Sequence, residues 1–484
     1  MKRICNLLVI MRKFQFADLH CHPNLKTFGK SFSNSKRDRV LKSNFWYSKL
    51  PNFFTKWMHR ILGITKFSQS DFTTMAKGNV KIAFVSLYPF EKGFFTNPYI
   101  NNKLYAILAS FVTSIGYHRV RYIQNHLDYF KDLMNEYNFL QLISKTSNKF
   151  KWSCGFVESI TDITNSLENN FISIIPTIEG AHVFNSGLSK YGKPIDEQEI
   201  LSNIIKVKQL PYSPFFITFA HNFNNDLCGH APSLEVLGAL VDQSENLNAG
   251  FTSLGLKVLH LLLDNRNEKR IYIDVKHMSL KSRMEYYHIL KTEYNNSIPV
   301  IVSHGAVTGT DVCGDSTSTL NPEYFSDDSI NFYDEELIII AKSCGLFAIQ
   351  MDEKRLVSPH VIKKSLFKNN KTANLKFSTL IIWRQLQHVA EILDANGHDS
   401  WRTCCIGSDF DGTINPLEEI LTATDLNRMA NELLNYVENY LSKPNSLSQN
   451  RNKNITALQV VENFTITNAE NFIKNNFNSN CKDN

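Results

Sequence analysis

Apolar residues fall along this chain in short runs, each closed by a turn or polar residue and most followed by a stretch of helical spacing. The runs are "FQFADLH", "VKIAFVSLY", "ISIIPTIEG", "FFITFAHN", "RIYIDVKH", "PVIVSHG", "GLFAIQ" and "TCCIGSDFDG". Stretches such as "LKVLHLLLDNR", "DEELIIIAKSC" and "LIIWRQLQHVAEILDANG" read as the helices between them. Eight strands alternating with helices predict an α/β fold, a (β/α)8 TIM barrel. An open doubly wound sheet is the rival; the count of eight and the length of 484 residues favour the barrel. One domain over residues 1–484 is expected, with insertions at 25–78 after the first strand and 95–170 after the second. The first insertion contains "NFWYSKLPNFFTKWMHRILG", spaced as an amphipathic helix and expected to form a lid or interface over the barrel mouth rather than a membrane-surface element. The second carries "YHRVRYIQNHLDYFKDLMNEY", also helical in pattern, and "SKPNSLSQNRNKN" from Ser442 reads as a flexible loop before the final helix.

The C-terminal ends of barrel strands open on one face, where active sites are built. Six of the eight runs end there in a metal-capable or acid–base residue: His20 with His22, then Glu179, His221, His277, His304 and Asp409. A lone histidine at a strand end is usually structural; six such endings in register point to a site. Histidines at i and i+2 share a face and can grip one ion. His277 and His304, on separate strands, could hold a second, with the Glu179 carboxylate bridging the two. Such a pair polarises a carbonyl and shares a water of lowered pKa, which Asp409 would relieve of its proton while His221 is placed to steady the oxyanion, not necessarily to bind metal. Imidazole and carboxylate ligands without cysteine suit zinc, with manganese, iron or cobalt as replacements. His182 and Asp411 could support this set from behind or belong simply to their loops. Asp18 could orient a ligand or cap a turn; His230 and Cys21 read as a loop residue and a buried thiol.

Composition narrows the class. With 43% hydrophobic and 20% charged residues the chain is globular, and a net charge of +6 without a dense basic block excludes a nucleic-acid binder; runs such as "SKRDR" and "IKKSLFKNNK" read as solvated surface. The N-terminal "MKRICNLLVIMRKF" faintly resembles a signal peptide, but its apolar core of about eight residues is at the low edge for one and meets Arg12 and Lys13 without a small-residue cleavage site. No membrane span is expected. Nine cysteines, scattered and with Cys344, Cys404 and Cys405 in or beside apolar runs, predict reduced, buried thiols and a cytoplasmic protein. A homodimer is compatible with the sequence.

Taken in order, "TIEGAHVF", "FAHNFNND", "AGFTSLGLKVLHLL", "IDVKHMS", "PVIVSHG" and "IGSDFDG" resemble the segments of the membrane (renal) dipeptidase family, peptidase family M19 of the amidohydrolase superfamily, from about Phe14 to about Phe472. The resemblance implies a TIM-barrel metallopeptidase with two zinc ions, Glu179 bridging them, His277 and His304 on the second metal, His221 on the substrate and Asp409 as acid–base. Two departures stand out. The family's His-x-Asp is here His20-Cys21-His22, which leaves the site one charge more positive. Between His304 and Lys342 no arginine or lysine occurs, where the family places an arginine on the substrate carboxylate. The expected function is a binuclear hydrolase in which a metal-bridging water cleaves a peptide or amide bond of a small, dipeptide-like substrate. The alternatives are a mononuclear zinc deaminase-type hydrolase and a barrel that binds a ligand without turnover.

Overall fold

A computed structural model describes residues 11–97, 99–145, 151–234, 241–316, 320–361, 370–412, 414–444 and 446–477. The opening decapeptide of the signal-like N-terminus and most of "IKKSLFKNNK" lie outside the described residues. Nine strands form the sheet: β1 (Phe16–Cys21), β2 (Val80–Leu87), β3 (Ser153–Phe156), β4 (Phe171–Glu179), β5 (Phe216–Thr218), β6 (Tyr272–Asp274), β7 (Ile301–Gly305), β8 (Leu346–Ile349) and β9 (Cys404–Ile406). Every pairing is parallel, in the order β1-β2-β4-β5-β6-β7-β8-β9. The ring is closed just past β9, where Asp409 N donates to the His20 carbonyl and His22 N to that of Phe410, each at 2.9 Å. This is the (β/α)8 barrel. Its strands are buried on both faces, which is why they read as continuous apolar runs instead of alternating ones.

The eight expected strands are β1, β2 and β4 to β9. Strand β3 was not among them. It lies beside the first half of β4, pairing with Phe171 to Ile174, while β5 pairs further along, at Ile178 and Glu179. Four residues, "SCGF", with a glycine inside and mixed burial, carry no readable period.

The insertion after β1 contains the helix Phe53–Leu62, capped by a reciprocal Asn52–Thr55 box and stopped at Gly63, whose φ of +63° suits glycine. Its buried residues are Thr55, Met58 and His59. His59 Nε2 lies 3.1 Å from the Pro416 carbonyl, Arg60 grips Glu418, and Thr65 Oγ1 donates to the Ile414 carbonyl at 3.1 Å. The helix therefore rests on the loop that follows Asp409, but only one of its faces is packed. The insertion after β2 supplies helices Asn102–Thr113, Tyr117–Asn125 and Tyr129–Gln141. A small core of its own, with Tyr88, Phe90, Phe95, Ile115 and Val120, also takes in Leu25 of the first insertion.

Two sequence expectations change. Ser448, Gln449 and Asn452 of the segment after Ser442 are tied by hydrogen bonds to Asp394, so this stretch is pinned rather than loose. Cys344 is exposed, because it follows the helix Asp334–Lys342 in a turn with φ of +54°, whereas Cys404 and Cys405 are buried in β9. No helix among the described residues is long and apolar enough to cross a membrane.

Candidate metal centre

Strand alternation puts Asp18, His20 and His22 on one face of β1 and its extension. Asp18 lies deepest, accepting from Ser408 N at 2.8 Å and Ser408 Oγ at 2.5 Å, so it ties the first strand to the last behind the histidines. Glu179 is the last residue of β4, and His304 sits near the end of β7. His277 and Asp409 follow β6 and β9 with φ of +66° and +56°. Left-handed backbone at non-glycine residues costs free energy, and here it turns two side chains inward at the strand ends.

All six strand-end positions meet in one buried cluster. Glu179 is at its centre: Oε1 lies 3.3 Å from His20 Nε2, 3.5 Å from His221 Nε2 and 3.8 Å from both His277 and His304 Nε2, and Oε2 lies 3.2 Å from His22 Nε2. The Nε2 atoms of His20 and His22 are 3.1 Å apart, and those of His277 and His304 are 3.2 Å apart. Asp409 Oδ1 stands 3.6 Å from His22 Nε2 and 3.9 Å from His20 Nε2. Three overlapping donor sets result: His20, His22 and Glu179; His20, His304 and Asp409; and Glu179, His277 and His304.

The electrostatics fit a cation site. His277 and His304 are pushed well below their usual range, first by burial and then by neighbouring positive charge, so both present lone pairs. Burial lowers His20 too, while His22, which burial alone would lower, is lifted to about 9 by Glu179 and Asp409. Glu179 is held well below the carboxylate range: burial opposes this, and the charges of His221, His20 and His22 overcome it. Asp409 is pushed up, by burial and then by the Glu179 charge. A proton shared in this cluster is what a divalent cation would displace. Imidazole pairs at 3.1 and 3.2 Å also match the edge of a tetrahedron around a zinc-sized ion, about 3.3 Å for bonds of about 2.0–2.1 Å.

A carboxylate that the sequence did not reveal stands behind His221. Glu91, buried in the loop after β2, accepts from Tyr88 Oη and faces His221 Nδ1, both at 2.7 Å, and takes Asn222 N at 3.0 Å on its other oxygen. Although burial raises its pKa, the charges of His221 and His182 bring it to about 2, so it stays ionised and aims His221 Nε2 at the cluster. His182 points away, with Nε2 2.7 Å from the Pro89 carbonyl. Asp411 accepts from Gln69 N, Ser70 N and Lys26 Nζ at 2.7–2.9 Å, holding the first insertion against the loop after β9. His230 contacts the carbonyls of Ala231 and Glu245, and Cys21 is a buried thiol raised well above its usual range by burial.

No protein-family model and no curated protein matches the chain. Solved structures do. A metallopeptidase from Rhodobacter sphaeroides, liganded with a phosphinate mimic of the dipeptide L-Ala-D-Ala, superposes with a TM-score of 0.53 over 96% of this chain and 100% of its own, at 12% identity. A dipeptidase described as a metallopeptidase of family M19 gives a TM-score of 0.50 over 88% and 97%, also at 12% identity. The chain shares the fold of these two metallopeptidases. Within the barrel two further side chains were invisible to sequence reasoning. Lys276, in the turn two residues past β6, is 1% exposed, and its Nζ has no hydrogen-bond partner among the described residues. Gln350, one residue past β8, is buried with Nε2 equally unpartnered. Burial and the Arg355 charge bring the Lys276 ammonium down to about 7.

Proposed function

We propose that the protein is a binuclear metal-dependent hydrolase that cleaves a peptide or amide bond of a small, dipeptide-like substrate. The observation that carries this reading is the position of Glu179, whose two oxygens lie within 3.2–3.8 Å of both histidine pairs. His20, His22 and Glu179 would hold one ion and Glu179, His277 and His304 the other, zinc being the metal the donor set favours. Bound there, divalent cations supply Lewis acidity toward a carbonyl and a water of lowered pKa. Asp409 takes the proton of the attacking water and passes it to the leaving nitrogen. His221, charged and fixed by Glu91, donates to the oxyanion. A single-ion deaminase held by His20, His22, His277 and Asp409 would leave His304 and the Glu179 carboxylate without a role.

Lys276, whose charge acts on His277, His304 and Asp409, and Gln350, just past β8, are buried donors without a partner among the described residues. They take the place of an arginine for a substrate's free carboxylate. The whole chain works as one barrel domain, and the free thiols of Cys21, Cys154, Cys228, Cys404 and Cys405 accord with a cytoplasmic setting. The test is hydrolysis of a panel of dipeptides, acyl-amino acids and capped peptides by protein purified without added metal. Turnover of dipeptides that disappears with a chelator and returns with zinc, manganese or cobalt supports the reading. Failure on the whole panel with the metals bound overturns it.

A further inference from the structure

Beside the loop after β9, residues of both insertions line a concavity of about 330 Å³ that includes none of the donor residues of the metal centre. Five lysines line it: Lys26, Lys30, Lys42, Lys49 and Lys66. Its two acids, Asp71 and Asp411, are already engaged with backbone amides of Thr73 and Thr74 and of Gln69 and Ser70. Lys26 is paired with Asp411 and Lys42 with Asp38, each at 2.7 Å, whereas Lys30 and Lys49 have no carboxylate partner among the described residues. The lysines feel one another. Burial lowers Lys30 and Lys49 first; the Asp38 charge opposes this at Lys30, neighbouring lysines lower both further, and Lys66 falls to about 8 through burial and the charges of Lys49, Lys26 and Lys30. A cluster of like charges in a concave site is the complement of a multiply charged anion.

Exposed apolar residues adjoin several of these lysines in sequence or in space. Lys66 follows the helix Phe53–Leu62, whose outward face carries Phe53 (89% exposed), Phe54, Trp57 and Ile61. Lys66 Nζ also lies over the ring of Phe111 at 4.1 Å, and Phe111 belongs to the helix Asn102–Thr113, which exposes Leu104, Ile107, Leu108 and Val112 on the same side. Val40 and Leu41, next to Lys42, add a third exposed apolar patch, and Leu50, next to Lys49, a fourth. Single exposed apolar residues need no explanation, but two helices that each expose an aromatic and aliphatic face, one preceding Lys66 in the chain and one touching it, do. Aromatic and aliphatic side chains beside lysines are the composition of elements that lie in the headgroup region of a bilayer.

We propose that this face docks on an anionic lipid bilayer, the lysine pocket receiving a phosphorylated headgroup while Phe53, Trp57, Ile61 and Phe111 enter the boundary with the acyl chains. A second copy of the chain fits less well, because a two-fold contact centred on this face would set one lysine pocket against another. A soluble polyanion would fill the pocket and leave the apolar faces without a purpose. The proposal does not depend on the hydrolase reading.

The test is co-sedimentation of the full chain with vesicles of phosphatidylcholine alone, with added phosphatidylserine, and with added phosphatidylinositol bisphosphate, at two salt concentrations. Binding to anionic vesicles, strongest with the bisphosphate, is expected to exceed binding to neutral ones by about tenfold or more and to weaken in high salt. The Lys30→Glu, Lys49→Glu double variant and the Phe53→Ser, Trp57→Ser double variant should each lose about tenfold. Circular dichroism shows whether both remain folded. The Phe53→Ser, Trp57→Ser variant should still bind soluble inositol bisphosphate, which separates the headgroup pocket from the apolar faces. No binding to any vesicle, equal binding to neutral vesicles, or uptake of the soluble headgroup without vesicle binding would overturn the proposal. So would a dimer in solution that dissolves on changing Phe53 and Trp57.

Discussion

The barrel mouth and the lysine pocket both gather charge, but in opposite ways. In the mouth, buried imidazoles surround the Glu179 carboxylate, and Asp409, partly exposed, stands beside His20 and His22. In the pocket, lysines crowd lysines, two of them without a carboxylate partner among the described residues. The first arrangement is completed by cations and the second by anions. The mouth is built from strand ends, whereas the pocket is lined mostly by residues of the two insertions.

Changing the centre of the mouth should have the largest effect. Glu179→Gln removes the carboxylate shared by both donor sets and is expected to lose bound metal and lower turnover by about 10³-fold or more, read by elemental analysis and by kinetics. Asp409→Asn should lower kcat by about 10²–10⁴-fold with most of the metal retained, since its carboxylate moves a proton in this account. A variant that loses metal to the same extent as Glu179→Gln would move Asp409 from acid–base to ligand.

A smaller effect is expected at Lys276. With its ammonium replaced in Lys276→Met, KM for dipeptides should rise by about 10–100-fold while kcat for substrates lacking a free carboxylate holds, a split that a merely structural lysine would not produce. The smallest effect inverts the sign. Lys30→Met with Lys49→Met should stabilise the fold by a few tenths of a kcal/mol at low salt, through relief of like-charge repulsion, and the gain should vanish at high salt. Thermal unfolding at two ionic strengths measures it. Loss of stability in that variant would mean that the pocket is structural and the contrast with the mouth is false.

What could be read from the chain followed from where residues sit relative to periodic elements. His20, Glu179, His304 and Asp409 adjoin long apolar runs, so strand ends and site residues were found together. Glu91 occupies a loop with no period, four residues past β2, and its role comes from a fold that brings His221 to it across 130 positions. Lys276 sat in view beside His277, but a lysine is so seldom buried that only the packed barrel shows its ammonium inside. Strand β3 was too short and too glycine-interrupted to register. The amphipathic spacing of "NFFTKWMHRIL" was legible, whereas the face left uncovered was not, because that depends on the loop after Asp409 packing against Met58 and His59 instead of the aromatic side.

The most direct test of the central claim is the number of metal ions per chain, measured by elemental analysis on protein prepared without chelators or affinity-tag metal and dialysed against trace zinc. The shared position of Glu179 predicts two equivalents, falling together in Glu179→Gln. One equivalent or less, unchanged on adding metal back, would contradict the binuclear account.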